Sequence, residues 1–178
     1  MSNVPEIVSG NYQGIADHRN HTYAFQWSGD ISSDLSSLNN EIDNMLRCSK
    51  NMIAYYSSDI GGFTGNPNRN DFVRWYQYGA LSPMLRPHCS NTVMKSREPW
   101  VYDKKTTDLV KEYIDLRYRL LNVFYTQAFK HYSDGLGITR PISFVFPNDR
   151  KVNKNKNAYM LGDNILVAPI SAAPKVEL

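Results

Sequence analysis

Apolar residues occur along the first half of the chain in three short runs, and each run ends in polar, charged or glycine residues. The runs cover residues 25–27, 51–56 and 80–85. They suit buried strands of a parallel sheet, and segments with helical periodicity separate them. In a parallel β/α barrel the functional groups lie at the carboxyl ends of the strands. The pattern therefore predicts an α/β fold with a site at that end.

Three segments have apolar positions spaced at three and four residues, which predicts amphipathic helices. The first helix is predicted to begin after Ser32 or Ser33, since either residue suits an N-cap position. The second covers residues 71–79, and the third covers residues 108–131 after a cap at Thr106 or Thr107. The positions predicted to face the core are Leu35, Leu38, Ile42, Met45, Leu46, Phe72, Trp75, Tyr76, Leu109, Tyr113, Leu116, Leu120, Val123, Phe124 and Ala128.

Beyond the third helix the apolar pattern changes to one that is typical of strands. A Gly162-Asp163-Asn164 turn between two such segments predicts a β-hairpin. The chain is therefore expected to end in β structure. The predicted segments are a break at 133–137, a strand at 141–146 and hairpin arms at 158–161 and 165–170, with a strand at 4–9 and a loop at 10–22 near the N-terminus.

The length and composition of the chain limit its possible folds and partners. The chain has 178 residues, of which 42% are hydrophobic. That is enough for one sizeable core, whereas a complete β/α barrel takes about 250 residues. The net charge of +3 indicates no particular partner. Cys48 and Cys89 do not make a disulfide framework. No apolar run is long enough to span a membrane, and the N-terminus lacks the pattern of a signal peptide.

Asp30 is the first candidate for chemistry at the strand ends. It follows Gly29, which lets the backbone turn sharply, and Trp27 lies three residues before it. An indole face would partly desolvate the carboxyl group and favour its protonated form, which is the form that a general acid needs. The alternative is that Asp30 caps the helix that follows. This stretch alone leaves both interpretations open.

Two other patterns have functional interpretations that the sequence disfavours. Asp17, His18 and His21 could form a metal site, but two histidines on a loop, without cysteine or glutamate nearby, are a weak ligand set. Residues 150–156 carry four positive charges without interleaved aromatic residues, which favours a solvated loop over nucleic-acid binding. Asn20 also begins a glycosylation sequon, Asn20-His21-Thr22.

A series of short motifs runs through the chain in a fixed order. They are Trp-Ser-Gly-Asp at 27–30, Ser-Asp-Ile-Gly-Gly-Phe at 58–63, Phe-Val-Arg-Trp-Tyr-Gln-Tyr-Gly-Ala-Leu-Ser-Pro at 72–83, Arg-Pro-His at 86–88, Arg-Glu-Pro-Trp at 97–100, Arg-Tyr-Arg-Leu-Leu at 117–121, Phe-Pro-Asn-Asp at 146–149, Met-Leu-Gly-Asp at 160–163 and Leu-Val-Ala-Pro at 166–169. Each motif is weak by itself. Together they resemble glycoside hydrolase family 31, a family of α-glucosidases, α-xylosidases and related transglycosidases, and they cover nearly the whole chain.

This resemblance implies a fold and a function. Residues 1–134 would form the C-terminal portion of a (β/α)8 TIM barrel, and residues 135–178 would begin a C-terminal β-sandwich, so that the chain would be a fragment. The implied activity is that of a retaining exo-α-glycosidase that acts on oligosaccharides or other α-glycosides, with no metal or organic cofactor. An α-transglycosidase and a catalytically inactive carbohydrate-binding homologue are the alternatives. A basic nucleic-acid-binding module, which would rest only on residues 150–156, is the rival from another class.

The resemblance also implies roles for individual residues. Asp30 corresponds to the acid/base, and the nucleophile lies outside this chain, because no segment before Asp30 matches its motif. The implied substrate-binding residues are Trp27, Phe63 and His88, the implied supporting residues are Asp59 and Arg86, and Trp75 and Trp100 are expected to pack in the core.

Three positions depart from the family pattern. Gly14 stands where the family has an arginine that holds the acid/base, and Arg19 is the nearest arginine. Ile31 and Leu35 replace an asparagine and a tryptophan. The changes at Ile31 and Leu35 indicate a divergent member and are expected to affect packing more than chemistry. At Gly14 either the loop is rearranged or the contact with the acid/base is lost.

Overall fold

The fold is described by a computed structural model that covers residues 6–9, 24–149 and 158–169. Several predictions concern residues outside these ranges and stay predictions. They are the loop at 10–22 with Gly14, Asp17, His18, Arg19, Asn20 and His21, and the basic run at 150–156.

The strands of the first part pair in parallel and in chain order. β1 (Glu6–Ser9) pairs with β2 (Ala24–Trp27), and β2 pairs with β3 (Tyr56–Ser57). β4 (Asp59–Ile60) follows β3 after a single residue and pairs with β5 (Arg86–Pro87). The extended segment 56–60 therefore pairs with β2 through Tyr56 and Ser57 and with β5 through Asp59 and Ile60. The predicted parallel arrangement is present.

Helices alternate with these strands, which confirms the predicted α/β class. In the described ranges they are α1 (Leu35–Lys50), α2 (Arg69–Leu81), α3 (Lys104–Arg119), α4 (Leu121–Asp134) and one short helical turn, α5 (Ile142–Val145).

The start of α1 corrects the predicted cap. Asp34, rather than Ser32 or Ser33, is the N-cap residue, and its side chain accepts a 2.8 Å hydrogen bond from Ser37 N. Carboxylates are strong helix caps, because they satisfy a free N–H group and carry a charge that suits the helix N-terminus. The predicted apolar face is correct: Leu38, Ile42, Met45 and Leu46 are buried, and Leu35 is half-buried.

α2 is longer than predicted, and its apolar face is confirmed. Asn68 caps it by accepting a 3.0 Å hydrogen bond from Asp71 N. Phe72, Trp75 and Tyr76 are completely buried. The helix continues to Leu81, so the run predicted as a third strand at 80–85 begins as the end of a helix, and β5 starts only at Arg86.

The predicted third helix is two helices. Leu120 ends α3 and precedes α4, and its N–H is shared between the carbonyls of Leu116 and Arg117. Such three-centre bonds are common at helix ends. Asp103 caps α3, in place of Thr106 or Thr107. The predicted apolar face is wrong at its beginning, because Leu109 is exposed and its neighbour Val110 is completely buried.

The described C-terminal strands form an antiparallel sheet. β6 (Thr139–Pro141) pairs with β7 (Tyr159–Leu161), and β7 pairs with β8 (Ile165–Val167). The predicted hairpin is present, and its turn residue Gly162 has a positive φ of 63°. The strand predicted at 141–146 is wrong, because β6 ends at Pro141 and Phe146 N donates to Ile142 O in a helical turn.

One core joins the two parts of the chain. Tyr159, Leu161 and Val167 of the antiparallel sheet belong to the same buried cluster as the apolar residues of α1 and α2. The strand predicted at 51–56 contributes to this core, although Asn51 and Met52 form a turn and the strand itself begins at Tyr56. The domain division after residue 134 stays a prediction.

Candidate functional site

The extended segment 56–60 has two faces. Tyr56 faces the helices, because its hydroxyl donates a 2.6 Å hydrogen bond to a glutamate of α1. Ile60 faces them too, since its side chain lies against Gly79 of α2. Side chains alternate along a strand, so Asp59 points to the opposite face of the sheet. In a closed barrel, that face of the sheet would point to the interior.

Asp59 joins the ends of three neighbouring strands. It is completely buried, and Oδ1 accepts a 3.0 Å hydrogen bond from Trp27 Nε1 and a 2.5 Å hydrogen bond from Arg86 Nη1. The guanidinium carbon of Arg86 also lies 5.4 Å from the centre of the Trp27 ring. A single carboxylate oxygen thus orients an aromatic ring and a cation. The ion pair that we expected between Asp59 and Arg86 is present, and the supporting role of both residues stays a prediction.

The charges of two more predicted residues, Asp30 and His88, influence the pKa of Asp59. Burial raises the pKa of Asp59, and the negative charge of Asp30 acts in the same direction. The hydrogen bond from Trp27 and the positive charges of Arg86 and His88 lower that pKa. Asp30 follows Trp27 by three residues and His88 follows Arg86 by two, so both come shortly after residues that bind Asp59.

Asp30 lies three residues after Trp27, the last residue of β2, and is exposed to solvent. Gly29 before it has a φ of 77°, so the sharp turn that we expected there is present. The interpretation of Asp30 as a helix cap is wrong, because Asp34 caps α1. The Trp27 indole contacts Asp59 through its N–H and Arg86 through its ring. The exposure of Asp30 leaves its carboxyl group accessible to a ligand.

Phe63 and His88 form the second aromatic part of the region. Their ring centres lie 5.6 Å apart, with a tilt of 30° between the planes. Ser90 N donates a 2.9 Å hydrogen bond to Phe63 O, which ties the segment after His88 to the loop that carries Phe63. Both side chains are half-buried. A ring face and an imidazole, which can donate and accept hydrogen bonds, are a suitable pair for a sugar.

Trp75 and Trp100, the two other tryptophans, were both expected in the core, but they differ in burial. Trp75 is completely buried, and its Nε1 donates a 2.9 Å hydrogen bond to Ser33 O. Trp100 is 70% exposed, so the prediction that it packs in the core is wrong. It follows Pro99 in an irregular segment between β5 and α3, where no helical or strand period shows which side chains point inward.

Sequence reasoning did not single out Glu41, which lies on the helix side of the sheet. It is 2% exposed and accepts hydrogen bonds from the Tyr56 hydroxyl at 2.6 Å and from Asn44 Nδ2 at 3.3 Å. Burial raises the pKa of Glu41 to about 7, although both hydrogen bonds lower it. Glu41 lies at a helix position between apolar neighbours. The sequence alone does not distinguish a buried carboxyl group at such a position from an exposed one.

Arg97 was also missed as a candidate for the site. Its side chain is 2% exposed. The guanidinium group bonds to backbone carbonyls of the loop that carries Phe63: Nε donates to Gly62 O at 3.0 Å and Nη2 donates to Gly65 O at 2.8 Å. The available signal was the position of Arg97 at the start of the Arg-Glu-Pro-Trp motif. Its polar surroundings in the sequence gave no indication of burial.

Metal and membrane sites were searched in the part of the chain that the structure describes. No group of three or more His, Cys, Asp or Glu side chains lies together there in an arrangement that could hold a metal ion. None of the described helices is both long enough and apolar enough to cross a membrane.

Two family models match this chain. Residues 19–127 match the family model for the glycosyl hydrolases family 31 TIM-barrel domain. Residues 135–177 match the model for the glycosyl hydrolase family 31 C-terminal domain. The residues around the site, from Trp27 to Arg97, all lie within the first match.

Curated relatives and a solved structure agree with these matches. A probable glucan 1,3-alpha-glucosidase of Oryza sativa subsp. japonica is 36% identical over 148 residues, which is 83% of this chain and 16% of that protein. An alpha-xylosidase of Saccharolobus solfataricus is 35% identical over 176 residues, which is 96% of this chain and 24% of that protein. The crystal structure of an alpha-xylosidase from a soil metagenome, complexed with xylose, is 27% identical with a TM-score of 0.81, and the match covers 86% of this chain and 26% of that one. The chain thus spans less than a quarter of the length of the rice protein and about a quarter of each of the others.

Proposed function

Because this chain belongs to glycoside hydrolase family 31, we propose that it is the C-terminal portion of the catalytic barrel of a retaining exo-α-glycosidase, followed by the beginning of a β-sandwich. The sequential parallel strands β1 to β5 and the antiparallel strands β6 to β8 support this division. The proposed substrates are α-glucosides or related α-glycosides. The solved relative that holds xylose supports a sugar as the ligand.

Asp30 is the acid/base in this proposal. A retaining glycosidase uses two carboxyl groups about 5–5.5 Å apart. Asp30 protonates the glycosidic oxygen while a carboxylate from outside this chain attacks the anomeric carbon and forms a glycosyl ester. Asp30 then takes a proton from water, which displaces the ester and releases the sugar with its original configuration. The exposed position of Asp30 at a strand end supports this role, because the carboxyl group must reach both substrate and water.

Trp27, Phe63 and His88 bind the sugar. The aromatic rings of Trp27 and Phe63 provide apolar faces for the C–H groups of a sugar ring, and His88 hydrogen-bonds a hydroxyl group. Asp59 and Arg86 support the site, since they hold Trp27 by the hydrogen bond at Nε1 and by the cation over its ring. The observation that carries the proposal is this three-residue contact among Trp27, Asp59 and Arg86. It brings together residues from three strands at the strand ends where the site was predicted.

Two other functions remain as alternatives. An α-transglycosidase would use the same residues and transfer the glycosyl group to a sugar hydroxyl instead of water. An inactive carbohydrate-binding homologue would use Trp27, Phe63 and His88 without chemistry. The glycine at position 14, where the family has an arginine, favours this second alternative.

A chimera tests the proposal. The segment of the S. solfataricus alpha-xylosidase that matches this chain is replaced by the chain, so that the relative supplies the remaining part of the protein. We expect the chimera to hydrolyse aryl α-glucosides or aryl α-xylosides with retention of configuration, and we expect Asp30→Asn to abolish most of this activity. A folded chimera that binds sugar without hydrolysing it would support the binding homologue, and transfer products in excess of free sugar would support the transglycosidase.

A further inference from the structure

The loop at residues 61–65 lies between the two sides of the site. Thr64 N donates a 3.0 Å hydrogen bond to Ile31 O, the carbonyl of the residue that follows Asp30. On the other side, Phe63 O accepts a 2.9 Å hydrogen bond from Ser90 N, two residues after His88. The position of this loop therefore affects both Asp30 and His88.

The loop has a backbone conformation that depends on glycine. Gly61, Gly62 and Gly65 have φ values of 97°, 80° and 77°, in the left-handed region that other residues rarely adopt. The space around the loop is also tight. A Cβ atom at Gly62 would lie 2.3 Å from Ser33 Cα, and one at Gly61 would lie 2.4 Å from Arg97 Cδ. The loop is thus held between the segment after Asp30 and the side chain of Arg97.

The Arg97 side chain bonds this loop through its whole guanidinium group. Nε donates to Gly62 O at 3.0 Å, Nη2 donates to Gly65 O at 2.8 Å, and Nη1 donates to Lys95 O. Among the described residues no carboxylate forms an ion pair with Arg97. The cation therefore bonds only to backbone carbonyls, which leaves the loop as its principal partner.

Arg97 is itself fixed to a rigid element. Its carbonyl accepts a 2.5 Å hydrogen bond from the hydroxyl of Tyr76, a completely buried residue of α2. Hydrogen bonds thus connect α2, through the backbone and side chain of Arg97, to the carbonyls of the loop. A charged group that is buried without a carboxylate partner costs free energy, so this arrangement contributes less to stability than its number of hydrogen bonds indicates.

We propose that Arg97 is a positioning residue, which sets the relative placement of Asp30 and His88 by holding the loop at 61–65. This inference rests on the proposed function, since it assigns a role at the same site. The planar guanidinium group directs three donors at fixed angles, whereas the ammonium group of a lysine is a point charge that cannot reach all three carbonyls. Small displacements of reacting groups reduce turnover strongly, because catalysis depends on their alignment.

Kinetics of the chimera test the proposal. Arg97→Ala is expected to lower kcat by about 10- to 100-fold, with a smaller change in KM. Arg97→Lys is expected to recover little of this loss, because the charge returns without the three directed donors. Guanidinium ion added to the Ala variant, below denaturing concentrations, is expected to restore part of kcat. Arg69→Ala is the matched control, since Arg69 is an arginine of α2 in an exposed ion pair with Asp103, and it should leave kcat unchanged.

A purely structural role predicts different results. Arg97→Ala would then lower the melting temperature, while the kcat of the folded fraction would stay normal and added guanidinium would leave kcat unchanged. Those results would overturn the proposal. If Arg97→Ala does not fold, the Arg97→Lys variant decides, since unchanged kcat in that variant also contradicts the need for three directed donors.

Hydrogen exchange separates this proposal from the proposed function. It is measured on the chimera, with and without Arg97→Lys, and it does not depend on activity. We expect the Thr64 and Ser90 amides to exchange at least about tenfold faster in the variant, because both donate across the loop boundary, while buried amides of α2 keep their rates. Unchanged rates at Thr64 and Ser90 would show that Arg97 does not hold the loop. An inactive wild-type chimera would refute the proposed function. The exchange rates would then still show whether Arg97 holds the loop.

Discussion

Arg86 Nη1 lies 2.5 Å from Asp59 Oδ1, and the two residues are direct register partners on the adjacent parallel strands β4 and β5. The same oxygen accepts the indole N–H of Trp27 from β2. The other oxygen, Asp59 Oδ2, is buried and has no hydrogen-bond partner among the described residues. Asp59 therefore connects three strand ends through one oxygen.

Breaking this ion pair should be costly. In the chimera, Asp59→Asn is expected to lower the free energy of unfolding by about 2 kcal/mol, because it leaves a partly buried cation without its anion. Asp108→Asn is the matched control: it removes the partner of Lys104 in an exposed i,i+4 pair, and it should change the free energy of unfolding by less than about 0.5 kcal/mol. Urea unfolding measures both changes. Similar small effects in the two variants would show that the Asp59–Arg86 pair does not stabilise the strand ends.

Asp30→Asn should affect substrates according to their leaving groups. The variant cannot protonate the glycosidic oxygen, so activity of the chimera on a sugar leaving group is expected to fall by about 100-fold or more. Substrates with acidic phenols need little protonation and should lose less in the first step. Steady-state kinetics on both substrate types check this expectation. Equal losses on the two types would argue against an acid/base role for Asp30.

His88→Ala tests whether the imidazole acts on the sugar. If His88 hydrogen-bonds a hydroxyl group in the transition state, kcat/KM of the chimera should fall by an amount equivalent to about 2–4 kcal/mol, with the protein still folded. Kinetics and thermal unfolding are measured together. A large drop in melting temperature with normal kinetics of the folded fraction would assign His88 a structural role beside Phe63.

Glu41 should make stability depend on pH. Its pKa in the folded protein is about 7, raised by burial from 4.5, so the folded state favours the neutral carboxyl group. The stability that this group contributes is complete below pH 4.5 and is lost as pH rises toward 7, because the unfolded state then releases the proton more easily. The shift corresponds to about 3 kcal/mol.

The matched variant for this effect is Glu41→Gln, which stays neutral at every pH. We expect the free energy of unfolding of the Gln variant, minus that of the wild type, to rise between pH 4.5 and 7 and to level off above. Urea unfolding of the chimera across this range measures the difference. A difference that is constant with pH would show that Glu41 titrates normally in the folded protein.

The isolated 178-residue chain is expected to be poorly soluble or molten and to have no glycosidase activity. In the described part β1 and β5 each pair with a strand on one side only, and open edges favour aggregation. The apolar segment 51–56 is shielded, since Ile53, Ala54 and Tyr56 are buried, whereas α3 and α4 expose large apolar side chains at Leu109, Tyr118, Leu121, Tyr125, Phe129 and Tyr132.

Analytical ultracentrifugation, urea unfolding and assays on aryl α-glucosides test this expectation. The chimera, in which the open edges have partners from the relative, is the control for solubility and activity. A cooperative, monomeric and active chain would contradict the proposal that the nucleophile lies outside it. That result would point to a second carboxylate within the chain, with Asp59 as the first residue to substitute.

The sequence by itself determined the alternation of helices and strands, the first two helices with their buried faces, the C-terminal hairpin and the positions of the candidate residues. Apolar spacing predicted α1 and α2 with their buried faces, and the Gly162 turn predicted the hairpin, because helix and strand periods and the conformations of glycine are local properties of the chain. The motif order led to the family. The limits of the strands could not be located, because the run at 80–85 begins as the end of a helix and the run at 51–56 begins with a turn.

Only the tertiary structure decided which residues contact each other. Trp27, Asp59 and Arg86 are far apart in the chain, and their contact depends on the register of neighbouring strands. The burial of Arg97 and Glu41, like the exposure of Trp100, depends on how loops and helices pack around each side chain. The sequence contains no local signal for such packing, because the same residue type suits a solvated surface or a satisfied interior until its neighbours in space are known.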